Sequence, residues 1–403
     1  MQKAAGALAR GDPLGALNLV ALRADAPALA LRGIAMAQLG DLVRAKVLLK
    51  KAARAFGPEA AVARSRCVVA EAEIALASRD LGWPAKALET ARATLEEQGD
   101  RSNATHARLL QVRRLLLIGR LGEAERALAG LDPARLPPAL RTAHQLAVAG
   151  IAIRRLRIDV ARAALAGARE AARIAAISAL GEEVESSARI LTTPAARLIS
   201  RGEERLVLLE EVESLLAAPQ MLVVDGCRHL VRNAGTAVSL AGRPILFALA
   251  RALGEAWPGD VSREALIGRT FQAKPINESH RARLRVEIGR LRRKISALVG
   301  VSATRQGFVL VPRRGCEVAV LTWPKEEEHA AMLAFLADGE AWSSSALATA
   351  SGLSQRSVQR ALDSLASAGR VRPLGSGRAR RWMTLPLPGF TTILLLPAPL
   401  PID

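Results

Sequence analysis

Tyrosine is absent, and six phenylalanines and five tryptophans leave aromatics at only 3% of the chain. A core cannot then rest on large rings. Half of the residues are hydrophobic, so it must be built mainly from Ala, Leu, Val and Ile. Such side chains suit helices packed closely through small residues. Cysteine is scarce too: Cys67, Cys227 and Cys316 lie far apart, with no CxxC pair and no histidine at metal-ligand spacing. Neither a disulfide framework nor a zinc site is expected, and a reducing cytoplasm is the compartment that fits.

Long apolar runs are missing as well. The opening MQKAAGALARGDPLG meets charge and proline before an apolar stretch develops, so no secretory leader is expected. FTTILLLPAPLPID, near the other end, is short and crowded with proline, below the roughly 20 residues of a spanning helix. It reads as an apolar tail packed on something, and no membrane partner is expected. Catalytic signatures fail to appear: there is no GxxxxGK[ST] phosphate loop, HExxH pair or GxSxG elbow. His106, His144, His229, His280 and His329 are isolated, and GSGR at Gly375 is more simply a turn than a phosphate cradle. The sequence thus gives no specific support to an enzyme, a cofactor or a metal, and none is expected.

What is present in excess is positive charge: 57 Lys plus Arg against 38 Asp plus Glu, a formal net charge of +19 over 403 residues. That attracts polyanions without choosing among them, so the position of the charge must decide. The length allows two or three domains.

To about residue 216, Ala, Leu, Arg and Glu recur at helical spacing, and this half is expected to be all helical. Its turns share a theme around Ala16, Ala45, Ala87, Ala127 and Ala163, whose spacings are 29, 42, 40 and 36 residues. A turn followed by a helix with a small residue at the close-packing position suits stacked antiparallel helix pairs. These segments resemble tetratricopeptide repeats, of period about 34 residues, although the family's aromatic positions are mostly aliphatic here. A repeat-free helical bundle is the plainer alternative.

After SLLAAPQ, the stretch MLVVDGCRHLVRNAGTAVSLAG reads as short antiparallel strands, and VSATRQGFVLVPRRG as strand, Gly turn and strand. Between them lie RPILFALARALGEAW, SREALIGRTF and RARLRVEIGRLRRK, all at helical spacing. In the last, Leu284, Ile288, Leu291, Ile295 and Leu298 form one apolar stripe, with Arg283, Val286, Gly289, Arg290 and Arg293 opposite. Glu287 can pair with Arg283 and Arg290 at helical spacing. A major-groove helix needs such a division, with flanking cations near phosphates. A solvated amphipathic helix would look alike taken alone.

Val238, Leu240 and Pro244, SREALI at Ser262 to Ile267, the pattern Leu284, Ile288, Leu291, Arg292, Lys294, and the closing Gly307, Phe308, Val309, Leu310 together resemble the winged-helix effector domain of OmpR/PhoB-type response regulators. The resemblance covers roughly residues 220–320. It implies a DNA-binding winged helix; beside it, the division of the helix makes Arg283, Arg290 and Arg293 candidates for groove or base contacts, and Arg281, Arg285 and Arg292, with Lys294, candidates for phosphate. Arg305 becomes the hairpin-tip residue, or else an ordinary solvated one. Arg285 and Glu287 replace the family's usual Asp and His, so its phosphate contacts do not all transfer. Nor is there an upstream receiver domain, so phosphorelay control is not implied.

Farther on, SSALATA, the turn SGL and SQRSVQRALDSLASAG read as helix, turn and capped helix, with Ala348, Leu353, Val358, Leu362 and Leu365 at packing positions. VRPL, GSGRAR and RWMTL follow as strand, basic turn and strand. This segment, about 328–385, resembles the winged helix-turn-helix of MarR- or GntR-type regulators. Ser354 would be the N-cap, Gln355, Arg356, Gln359 and Arg360 the outward face, and Arg378, Arg380 and Arg381 the wing.

The expected architecture is mainly α: a tetratricopeptide-like helical array over 1–216, two small α+β winged-helix domains over 217–323 and 324–388, and a Pro-rich tail over 389–403. The expected function is sequence-specific regulation of transcription in the cytoplasm through double-stranded DNA. The helical half would meet a protein partner, RNA polymerase or an effector, and a homodimer is left open. The alternative is a protein-interaction adaptor whose winged domains are contact modules.

Overall fold

The computed structural model describes residues 1–271, 277–313, 315–324, 329–336, 341–375, 377 and 380–384. The chain is mainly helical with a few small sheets. It forms two compact units, one of Ile190–Ala330 and one joining Met1–Arg189 to the segment from Ala331 onward.

In the larger unit, α1 (Gln2–Ala9), α2 (Pro13–Val20), α3 (Ala26–Gln38), α4 (Leu42–Ala55), α5 (Ala61–Ala77) and α6 (Ala85–Glu97) come first. Next are α7 (Arg101–Leu117), α8 (Leu121–Leu128), α9 (Pro138–Arg154), α10 (Ile158–Ala175) and α11 (Ser178–Thr192). From α1 to α10 each helix packs on its successor, and α1, α3, α5, α7 and α9 also touch in turn. The junctions explain the order. Gly11, Gly40 and Gly99 end helices in the left-handed region, where glycine has no Cβ penalty. The next residue, Asp12, Asp41 or Asp100, opens the following helix by accepting a backbone N–H with its carboxylate.

The fourth residues of α2, α4, α6, α8 and α10 are Ala16, Ala45, Leu88, Ala124 and Ala161, all buried. Ala87 and Ala127 are only half-buried and Ala163 is exposed, so three of the five expected close-packing positions were offset by one to three residues. Alanine is too abundant here to fix a phase by itself. The interior also takes buried polar pairs: Arg66 Nη2 meets Asp100 Oδ2 at 2.6 Å, and His106 Nε2 lies 2.9 Å from Glu73 Oε2. Burial pushes the thiol of Cys67 up to about 12.

The expectation of helix throughout 1–216 fails at β1 (Ala196–Ser200) and β2 (Glu203–Val207), before helix resumes in α12 (Leu209–Ala217). Ser200 faces Glu203 across a two-residue loop, and both loop residues, Arg201 and Gly202, have positive φ, 52° and 82°. That is the geometry of a tight hairpin. Then come β3 (Met221–Asp225), β4 (Leu230–Arg232), β5 (Ala237–Ser239), α13 (Pro244–Ala256), β6 (Val261–Ser262), α14 (Arg263–Phe271) and α15 (Glu278–Ile295). The hairpin β7 (Gly300–Ala303) and β8 (Gly307–Val311) follows, then β9 (Glu317–Thr322).

The strands make two sheets. One has the order β2-β1-β9-β3-β4-β5, with β9 parallel to β3 and the other pairings antiparallel; the second has the order β6-β8-β7. Leu222, Val224, Leu249, Leu253, Leu266, Leu284, Ile288, Leu291, Phe308 and Val320 join sheets and helices in one buried cluster.

The C-terminal segment holds α16 (Ala330–Leu336), α17 (Ser344–Ser351), α18 (Gln355–Ser367), β10 (Val371–Leu374) and β11 (Arg381–Thr384). Trp342 bridges to Trp382 through paired backbone bonds of 2.8 and 2.7 Å. Met332, Trp342, Leu347, Val358 and Leu362 share a buried cluster with Val69, Leu88, Ala107 and Leu110 of α5, α6 and α7. Leu353, expected to pack, is 50% exposed. It follows Gly352, which ends α17 in the left-handed region, and so lies on the turn rather than inside it. The expected tail over 389–403 lies outside the described residues. Among the described residues no helix is long and apolar enough to cross a membrane.

Candidate nucleic-acid interface

Helix α15 begins at Asn277, whose side chain accepts from the His280 amide at 3.1 Å while His280 Nδ1 accepts from the Asn277 amide at 3.3 Å. This reciprocal cap fixes the start of the helix. Leu284, Ile288, Leu291 and Ile295 are buried on its underside, as their spacing requires, and Leu298 is buried just beyond. Arg281, Ala282, Arg283, Arg285, Val286, Arg290, Arg292, Arg293 and Lys294 are exposed.

Four of these cations are already held by the fold. Arg290 Nη1 donates to Glu287 Oε1 at 2.7 Å, and Glu287 is only 8% exposed, so the guanidinium is steered from a buried anchor. Arg283 does not share that carboxylate. Its guanidinium lies 4.6 Å from the centre of the Phe271 ring, within cation–π range. Arg292 Nε donates to the Val301 carbonyl at 2.7 Å, and its guanidinium sits 5.8 Å from the Phe308 ring. Arg281 pairs with Glu278 at 2.6 Å and with Glu264 at 3.8 Å. The charged side-chain groups of Arg285, Arg293 and Lys294 have no hydrogen-bond or ion-pair partner among the described residues, although the Arg293 carbonyl accepts from the Ser296 hydroxyl at 3.2 Å.

The β7–β8 hairpin stands beside this helix, joined to it through Arg292 and Val301. Its turn, Thr304 to Gln306, presents Arg305 to solvent. Arg263 braces that turn from below, donating to the carbonyls of Arg305 at 2.9 Å and Thr304 at 3.1 Å, with its guanidinium 5.5 Å from Phe308. The Thr304 hydroxyl bonds Asp260 and accepts from the Gly307 amide. At Gly307 a Cβ would lie 1.7 Å from the Val261 carbonyl oxygen, so only glycine lets β6 and β8 approach this closely.

Helix α18 is built on a smaller scale. Ser354 Oγ accepts from the Ser357 amide at 3.1 Å, the expected N-cap. Val358, Ala361, Leu362 and Leu365 are buried, while Gln355, Arg356 and Arg360 are exposed. Half-buried Gln359 is turned along the helix, donating to Asp363 Oδ1 at 2.9 Å. Arg380 lies 5.7 Å from the Trp382 ring, and Arg381 donates to the Arg380 carbonyl at 3.3 Å. Arg378 lies outside the described residues.

The structure therefore brings Arg281, Arg283, Arg285, Arg290, Arg292, Arg293 and Lys294 onto one helix and Arg305 onto the hairpin beside it. The Gln355 to Arg360 group stands on a separate helix of the other compact unit. Sequence reasoning missed Phe271, Arg263 and Asp260, which orient these cations or their hairpin. Ser262, whose hydroxyl accepts from the Ala265 amide at 3.1 Å, marks the start of α14 but not the reach of Arg263, and the Phe271 ring had no signal, because a cation–π partner follows no fixed spacing. Among the described residues no group of three or more His, Cys, Asp and Glu side chains could hold a metal ion.

No protein family matches the chain, and neither a curated protein nor a solved structure shows significant similarity to it.

Proposed function

We propose that this chain is a transcriptional regulator that binds duplex DNA sequence-specifically. In this reading α13, α14, α15 and the β7–β8 hairpin form an OmpR/PhoB-type winged helix, with α15 entering the major groove and Arg305 at the wing. The observation that carries it is the division of α15: an apolar underside locked into the core, and an exposed surface of seven cations beside a braced basic hairpin. An ordinary solvated helix has no need of a buried carboxylate and an aromatic ring to steer two of its arginines. Fixed guanidinium groups suit base and phosphate recognition, because little side-chain freedom remains to be lost on binding.

The segment from α17 to β11 is read as a second, MarR/GntR-like winged helix-turn-helix. Helices α1–α10, stacked in sequence order, are read as a tetratricopeptide-like array that meets a protein partner such as RNA polymerase, or an effector. The cytoplasm is the compartment this role implies.

The test is titration of the full chain with mixed genomic duplexes at low and moderate salt. Wild-type protein should enrich particular sequences, and its affinity should fall steeply with salt as phosphate contacts are lost. Arg290→Ala with Arg293→Ala should weaken binding by an order of magnitude or more, at about 1–3 kcal/mol for each base contact removed, with an unchanged circular-dichroism spectrum. Unchanged binding would remove α15 from the mechanism. Weak attraction without sequence preference in the wild type would put a protein-interaction adaptor in place of the regulator.

A further inference from the structure

On the outer surface of α15 the one large apolar side chain is Val286, and it is 53% exposed. Its neighbours at helical spacing leave it uncovered. Ala282, four residues before, is small, and Gly289, three residues after, has no side chain. Arg283 is drawn aside onto Phe271, and Arg290 toward Glu287. The valine methyls therefore stand clear between two tethered guanidinium groups, where they add nothing to the core of the unit.

Resting on the reading of α15 as a groove helix, we propose that Val286 is a specificity-determining residue that contacts the 5-methyl group of a thymine. In the major groove the thymine 5-methyl is the one methyl group on the base edges, set among hydrogen-bond donors and acceptors. A branched aliphatic side chain among arginines matches a methyl set among polar edges. Arg285 and Arg293, whose guanidinium groups have no hydrogen-bond or ion-pair partner among the described residues, stand near enough in sequence to engage adjoining bases or phosphates.

The experiment begins with selection of a random-core duplex pool on the full chain. The enriched duplex is then resynthesised with each thymine replaced in turn by uracil, which removes the methyl and keeps the hydrogen-bonding edge. At one or two positions uracil should weaken wild-type binding about fourfold, the equilibrium factor for burying one methyl-sized group. Val286→Ala should bind the thymine and uracil duplexes alike, whereas Val286→Thr, which keeps one methyl, should still distinguish them. Both substitutions lie on an exposed helical surface, so folding should be retained. An enriched site at which every uracil is neutral, an enriched site lacking thymine, or a uracil loss that persists in Val286→Ala would overturn the methyl contact while leaving DNA recognition in place. Enrichment of no sequence at all would overturn the regulatory reading and this inference with it.

Discussion

Helix α15 spans 18 residues and holds its cations with partners from outside its own exposed surface: Phe271 on α14, the Val301 carbonyl on β7 and buried Glu287 beneath. Helix α18 spans 13 residues and presents Gln355, Arg356 and Arg360 without such partners among the described residues, with Gln359 turned toward its own Asp363. The two share a design of capped start, apolar underside and polar outer surface, but not a degree of preorganisation. In the first the arginines are positioned before any ligand arrives. In the second the ordering cost of long side chains remains to be met on binding. They also rest on different foundations. The stripe of α15 closes a core drawn from one continuous stretch of chain, Ile199 to Val320, whereas Leu362 and Leu365 of α18 belong to a cluster shared with α5, α6 and α7, which lie far earlier in the sequence of the same unit.

Truncation of the two undersides tests that difference most strongly. Leu291→Ala and Leu362→Ala each remove a fully buried side chain and should each cost about 2–5 kcal/mol. The damage should spread differently. In hydrogen exchange, Leu291→Ala should expose amides of α13, α14 and α15, while Leu362→Ala should also loosen α5 to α7. Full protection of α5 to α7 in the second variant would make the C-terminal helices an independent module after all.

Gly307→Ala is expected next. Its Cβ would lie 1.7 Å from the Val261 oxygen and 2.9 Å from Ser262 Cα, so the β6–β8 pairing must shift. Overpacking of this kind costs about 1–3 kcal/mol, measurable as a lower urea midpoint. The hairpin that carries Arg305 should lose protection while α18 does not.

The same contrast shows what the sequence could disclose. The apolar stripe of α15, the hairpin around Gly307 and the Ser354 cap follow from local periodicity and turn chemistry, and the structure has all three. By contrast β1, ARLIS, and β2, EERLV, carry Arg, Leu and Glu, which favour helix as readily as strand. What makes β1 a strand is pairing with β9, where Leu198 faces Leu321, more than 100 residues away. Position 201 hides its turn as well, since arginine rarely adopts φ near 52°. The phase of α6, α8 and α10 is obscured because more than one alanine in each helix suits the close-packing place, and in α6 that place is taken by Leu88 instead. At the candidate interface the cations were legible by type, but which were tethered was not, because Phe271 and the Val301 carbonyl reach them through tertiary packing.

A smaller effect separates the two helix starts. Ser354→Ala removes the oxygen that accepts the Ser357 amide and should cost about 1 kcal/mol. In α18, less than about four turns long at 13 residues, that loss should appear as fraying of the first turn in hydrogen exchange. Asn277→Ala removes a comparable bond from α15, but the buried stripe from Leu284 onward should confine the loss to the residues before it. Equal fraying along both helices would show that the longer core contact does not protect α15.

Gly289→Ala has an effect of similar size and opposite sign, and it bears on why α15 is built as it is. Glycine inside an exposed helix costs about 0.8–1 kcal/mol relative to alanine, through backbone entropy. At Gly289 an added Cβ would meet nothing within 4 Å, so no packing reason opposes the change. The variant should be stabilised by about 0.5–1 kcal/mol, read as a higher urea midpoint with unchanged slope. Gly307, where a Cβ has no room, shows the converse within the same unit. A site that tolerates alanine yet carries glycine is explained if something outside the chain must come close to the helix there, as bases or backbone would in a groove. The stabilised protein should then bind its selected duplex more weakly than wild type. Unchanged binding alongside the gain in stability would mean that Gly289 serves no close approach, and that α15 meets its ligand through the ends of its arginines alone.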